Sequence, residues 1–299
     1  MPNIAKTLAT AAACIAVLFG CQTVPTPRTM HVNGFELPYV VEGQGIPVVF
    51  IHGGVSDYRT WDRQRAALAA RGYQAISYTQ RYFGPEPWVQ SWPAFGIQTH
   101  ADDLVSFLRG LSVGPVHLVA WSYGGQTALA VALDHPELVK SAFVFEPSHP
   151  TFVTDPAQLK ALSDDGAAYA GPVVQAVRSG DNALAVKRLI DGVGERPSYF
   201  DAQSAATQAV QLDSAHSMAV IFDEKNVRQI SCEQLAKIKR PVAIARGGQV
   251  RPYFRIIADE AARCLQRGGP IVVPGQKHMW PSEDAAGFAA TVDEFLARK

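Results

Sequence analysis

Short continuous apolar runs recur along the 299-residue chain, each closed by glycine, proline or a polar turn, with longer stretches between them in which apolar positions return every three or four residues. The first pattern is that of strands buried on both faces, the second that of amphipathic helices. Residues 30–32 and 35–41 flank Asn33-Gly34, a two-residue hairpin signal, so the chain opens antiparallel. Pro47-Val48-Val49-Phe50-Ile51 is then a fully buried strand running into His52-Gly53-Gly54-Val55, and the sheet turns parallel from there. A helix over residues 58–70, stopped by Gly72, leads to a strand at 73–78. Prolines at 85, 87 and 93 make the next stretch a loop. The helix that follows, from about 99 to 111, carries Leu104, Phe107, Leu108 and Leu111 on one stripe, with Asp102 and Asp103 read as helix-end residues that favour the dipole. Strands at 115–119 and 139–145 come next, the second ending in Glu146-Pro147.

From 148 to 230 the strand signals vanish, and Ala-, Asp- and Gln-rich sequence with short helical stretches such as 173–177 and 183–190 predicts an inserted helical cap. Alternation resumes with strands at 241–245 and 270–273 and helices at 253–264 and 285–297. The expected architecture is therefore α/β: a mostly parallel eight-stranded sheet with helices on both faces, its core formed by 30–147 and 231–299 and its cap by 148–230.

The N-terminus departs from this pattern. Lys6 precedes an apolar segment too short to span a bilayer comfortably, as in an export signal over residues 1–20. Leu18-Phe19-Gly20-Cys21 resembles a bacterial lipobox, which implies cleavage before Cys21 and its lipidation; a simple cleaved signal or an uncleaved anchor is the other reading. Residues 21–29, with Pro25 and Pro27, read as a tether. The expected location is periplasmic or outer-membrane-tethered, alternatively secreted. There Cys232 and Cys264 either form a disulfide, contributing about 3–4 kcal/mol by chain entropy, or stay as two buried thiols. With 27 basic and 27 acidic residues and no basic run, nucleic-acid binding is not expected, and no ligand spacing suggests a metal.

The chemistry gathers at Ala120-Trp121-Ser122-Tyr123-Gly124, a strand-turn-helix passage with a serine at its apex. It is the nucleophile-elbow pattern G-x-S-x-G with Ala120 replacing the first glycine, a small residue for a small residue. Together with His52-Gly53-Gly54 and with Gln276-Lys277-His278 after the last strand, it makes the chain resemble an α/β-hydrolase from about residue 30 to its end. A serine hydroxyl needs a neutral imidazole to take its proton, and that imidazole needs an orienting group. The resemblance therefore implies Ser122 as nucleophile and His278 as base, with oxyanion N–H donors at Tyr123 and at Gly54, Val55 being the alternative. His52 is expected to brace the glycine loop.

In most members of that superfamily the acid lies after the seventh strand, yet Arg246-Gly247-Gly248-Gln249-Val250-Arg251-Pro252 holds no carboxylate. Some members, lactone-cleaving enzymes among them, carry it after the sixth strand, where this chain has Glu146; Asp223 and Asp259 are weaker candidates. The implied reaction is cofactor-free cleavage of a small-molecule ester or lactone. Alternatives are a perhydrolase or haloperoxidase using the same triad, or a silent ligand-binding protein. Dehalogenases and epoxide hydrolases need an aspartate at the elbow, which this chain lacks. Tyr82, Trp88, Trp92, His149 and Trp280 are the candidate pocket residues, each of which has an ordinary packing role as its other reading.

Overall fold

Asn33 and Gly34 both adopt positive φ, 46° and 76°, the conformation a tight two-residue hairpin demands. They join β1 (Arg28–Val32) to β2 (Phe35–Glu42) in the computed structural model, which describes residues 25–298. The expected signal segment, Cys21 and part of the tether lie outside the described residues. The end of the tether is strand: Arg28 and Thr29 pair with Tyr39 and Pro38, extending the hairpin register two residues past the apolar signal.

Six further strands complete the sheet: β3 (Ile46–Ile51), β4 (Tyr73–Tyr78), β5 (Val116–Trp121), β6 (Val139–Phe145), β7 (Val242–Gly247) and β8 (Ile271–Val273). Their order is β1-β2-β4-β3-β5-β6-β7-β8; β2 is antiparallel to both neighbours, and all later pairings are parallel. The eight-stranded, mostly parallel α/β architecture is thus as the hydrophobic pattern predicts. All six residues of β5, at the centre, are buried.

Helices cover both faces. On one side α2 (Ile97–Leu111), α3 (Tyr123–Asp134), α8 (Cys232–Ala236) and α9 (Pro252–Leu265) pack on the sheet through residues such as Phe107, Leu129, Leu235 and Ile257. On the other, α1 (Asp62–Ala69) and α11 (Ala285–Leu296) bury Leu68, Phe288 and Val292. The short α10 (Trp280–Glu283) precedes α11. Cys232, opening α8, is disulfide-bonded to Cys264 near the end of α9.

Between β6 and β7 the chain forms α4 (Pro156–Arg178), α5 (Asn182–Val193), α6 (Ala205–Asp213) and α7 (Met218–Ile221). The apolar pattern suggests short pieces here, but α4 is one helix of 23 residues that runs through Pro172. The polar residues of this segment explain its boundaries: Asp155, Asp181 and Ser204 accept from the N–H groups of Gln158, Leu184 and Thr207, capping three helices in turn. Asp213 and Ser214 then pin the segment to the core. Asp213 pairs at 2.6 Å with Arg59, itself held by Asp57, and Ser214 Oγ accepts from Gly84 N–H at 2.8 Å.

One helix-end assignment needs correcting. Asp103 is no dipole ornament: it forms a bidentate ion pair, at 2.7 and 2.8 Å, with Arg81, whose guanidinium is buried between the rings of Phe35 and Trp92. A buried charge of this kind requires such a partner. Among the described residues, no helix is long and apolar enough to cross a membrane.

Candidate active site

Ser122 stands between β5 and α3 with φ 54° and ψ −119°, a strained backbone for a residue with a side chain. The turn closes because its neighbours are small. A Cβ on Gly124 would collide with the carbonyl oxygen of His52, and one on Gly125 would come within 2.8 Å of Val144. Ala120, where the pattern has glycine, sits fully buried within β5. Hydrogen bonds from Ser122 N–H to Phe145 O (3.0 Å) and from Gly125 N–H to Ser122 O (2.9 Å) fix the bend.

The loop after β8 returns His278 to this apex. Its Nε2 lies 3.2 Å from Ser122 Oγ, and its Nδ1 lies 2.6 Å from Glu146 Oε2. Glu146, one residue beyond β6 and also at positive φ (48°), is fully buried; its other oxygen accepts Gly247 N–H at 2.7 Å. With Nδ1–H donated to the carboxylate, Nε2 presents its lone pair to the hydroxyl. The imidazole stacks face to face on Phe254, centroids 3.7 Å apart and planes 10° from parallel, and Trp121 packs against it at 5.6 Å. The other two candidate acids are engaged elsewhere. Asp223 is exposed and paired with Lys225, and Asp259 is paired with Arg246 at 2.6 Å.

A cavity of about 520 Å³ opens beside Ser122, bordered by Gly54, Val55 and Tyr123 from the core. Tyr123 is the first residue of α3, so its N–H has no intrahelical acceptor, and the N–H of Gly54 donates to no group among the described residues.

His52 stabilises this loop in the neutral state. Its Nε2 accepts Gln80 N–H at 3.0 Å while Nδ1–H donates to Gly53 O at 2.7 Å, and burial lowers its pKa to about 4. His100 is similar: Nε2–H donates to Arg81 O, Nδ1 accepts the Tyr123 hydroxyl at 2.8 Å, and burial again lowers the pKa to about 4. Both rings resist protonation when folded, whereas in the unfolded chain they take up protons near the ordinary 6.5. Their stabilisation is therefore complete above pH 6.5 and is lost as pH falls toward 4, by about 1.4 kcal/mol per pH unit for each ring. The urea midpoint at pH 5 is expected to lie well below that at pH 7; an equal or higher midpoint at pH 5 contradicts this account.

Of the five aromatic and histidine candidates for the pocket, His149 alone borders the cavity. It bonds Glu224 through Nε2 at 2.9 Å and Ser148 Oγ through Nδ1 at 3.1 Å. Burial pushes the Glu224 carboxyl upward, but its bonds to His149 and to Ile97 N–H outweigh that and hold it below the usual range. Tyr82, Trp88 and Trp92 are corrected to a packing cluster: Tyr82 meets both indoles edge to face, and its hydroxyl donates to Pro93 O. Trp280 is core, wedged between Phe145 and Phe288. The aromatic wall comes instead from Tyr169 on α4 and from Tyr253 and Phe254 on α9, with Ile221 and Phe222 from the end of α7. A helix following a parallel strand starts at the sheet's active edge, so the aromatic pair one step into α9 was a signal available in the sequence.

The family of the alpha/beta hydrolase fold matches residues 46–179 of the chain. A non-heme chloroperoxidase, CPO-A1 of Kitasatospora aureofaciens, is 40% identical over 93 residues, 31% of this chain and 33% of that protein. The chain spans about a third of the length of the curated relatives it matches. Among solved structures, the epoxide hydrolase VrEH1 from Vigna radiata superposes with a TM-score of 0.69 at 21% identity, covering 94% of this chain and 100% of its own. The carboxylesterase CesB from Bacillus subtilis gives 0.72 at 16% identity, covering 93% of each. The sheet order, the elbow and these likenesses together show that the chain has the α/β-hydrolase fold.

Proposed function

We propose that this protein is a serine hydrolase that cleaves a carboxylic ester or lactone, with Ser122, His278 and Glu146 as its triad. The observation that carries the reading is the unbroken line from Ser122 Oγ through the imidazole to a buried carboxylate, 3.2 and 2.6 Å. In this mechanism the serine oxygen attacks the carbonyl carbon as its proton passes to Nε2. The N–H groups of Tyr123 and of Gly54 or Val55 receive the oxyanion, the imidazolium returns the proton to the leaving alcohol, and water activated by the same ring releases the acid. For a lactone the leaving alcohol stays attached to the acyl group throughout, and the last step releases a single hydroxy acid. Epoxide opening is set aside, because Ser122 occupies the place where that chemistry needs a carboxylate.

A fluorophosphonate probe is expected to label the protein once, on Ser122, at neutral pH, as read by peptide mass spectrometry. An unlabelled Ser122, or label on another residue, overturns the assignment. The chloroperoxidase likeness favours a second reading, in which hydrogen peroxide replaces water at the acyl-enzyme. Peroxide-dependent halogenation of a phenol in a carboxylate buffer, exceeding ester hydrolysis, selects it.

A further inference from the structure

Besides its carboxylate partner, the His278 imidazole has aromatic neighbours in Phe254 and Trp121. His278 is only 2% exposed, so the imidazolium formed during attack has little water around it. Glu146 meets one edge of the ring; over the face lies the phenyl ring of Phe254, 3.7 Å away and 10° from parallel. An imidazolium over an aromatic face is attracted by the ring quadrupole, more strongly where water is excluded. The contact also restrains ring rotation about the bond that Glu146 does not control. Phe254 is itself anchored: it lies near the start of α9, buried, with Tyr253 edge-on at 5.3 Å and Tyr169 stacked at 6.4 Å.

We propose that Phe254 is a positioning residue for the base, its face holding the His278 ring in line with Ser122 and stabilising the imidazolium that forms when the Oγ–H proton passes to Nε2. This rests on His278 serving as that base. The bookkeeping is that of ordinary acyl transfer: the Oγ–carbon bond forms, the proton moves to Nε2, and it leaves again with the alcohol.

The charges around the imidazole are few. From just beyond β6 comes Glu146, from its own loop Lys277, and from beyond α5 Glu195, whose carboxyl burial raises and whose field reaches Lys277, Arg251 and Glu146. The elbow contributes the neutral Trp121 and Ser122, and α4 and α9 contribute the phenols of Tyr169 and Tyr253. Arg251 is taken up by Asp165 at 2.8 Å. Phe254 is therefore the closest uncharged group able to favour the cation over the neutral ring.

The test is Phe254→Leu, which keeps an apolar group and removes the quadrupole, alongside replacement of Phe254 by pentafluorophenylalanine, nearly the same shape with the quadrupole reversed. For Phe254→Leu, kcat on a short activated ester is expected to fall about tenfold with KM within twofold, and the acid limb of the pH–rate profile to move about half to one unit toward lower pH. The fluorinated protein should move at least as far in the same direction, and Phe254→Tyr should recover most of the rate. NMR titration of the His278 ring protons, which needs no substrate, should show the same downward displacement. An unmoved titration in the fluorinated protein overturns the proposal, whether or not the leucine variant folds. A wild-type protein that neither labels nor hydrolyses esters counts instead against the serine-hydrolase reading.

Discussion

Ser122→Ala is expected to reduce turnover of a short p-nitrophenyl ester by at least about 10³-fold, the scale on which loss of a nucleophile strips a triad of its chemistry. The loss should fall on kcat, because the oxyanion donors are backbone groups and the cavity walls belong to other residues. Folding should be untouched. The Ser122 side chain makes one hydrogen bond, to His278, and the bonds that shape the turn use only the backbone. Alanine tolerates the positive φ no worse than serine, so circular dichroism and the melting temperature should match wild type. Retention of more than a tenth of the activity in a correctly folded Ser122→Ala protein refutes the mechanism.

Glu146→Gln should cost about 10²–10⁴-fold in kcat, while Asp223→Asn costs less than twofold. The carboxylate of Glu146 accepts from two directions, the His278 Nδ1–H and the Gly247 N–H. A carboxamide has one acceptor atom and one NH₂. If its oxygen meets Gly247, the NH₂ faces Nδ1 and selects the wrong tautomer; if it flips, an N–H is aimed at another N–H in a fully buried site. Either arrangement removes the charge that stabilises the imidazolium. Asp223, exposed and paired with Lys225, has no route to the base. Steady-state kinetics on both variants decides the matter, and a large loss confined to Asp223→Asn transfers the acid to the cap.

The fold was legible because its signals are local. A buried strand announces itself as an uninterrupted apolar run, and Asn33-Gly34 leaves few alternatives to a hairpin. The elbow was legible for the same reason: a strained turn needs small residues on either side of Ser122, and composition records that need. Glu146 was reachable only through the resemblance, which offers the end of the sixth strand as a second place for the acid once the loop at 246–252 is seen to hold no carboxylate. The pocket was not. Trp88 and Trp92 stand in a proline-rich loop, yet they turn inward to cover Tyr82 and the buried Arg81–Asp103 pair, a choice made by a salt bridge spanning 22 positions. The unity of α4 escaped as well, since a proline and two glycines argue locally against a helix that packing against α5 and α9 sustains.

The bond from Gly247 N–H to Glu146 makes residue 247 a joint between two strand ends and the histidine loop. Losing Glu146 strips Gly247 of its buried acceptor, and any side chain introduced at Gly247 runs into the carbonyl of Gln276, two residues before the base. Substitutions at 146 and at 247 are therefore expected to be coupled, since each disturbs the loop that seats His278 against Ser122.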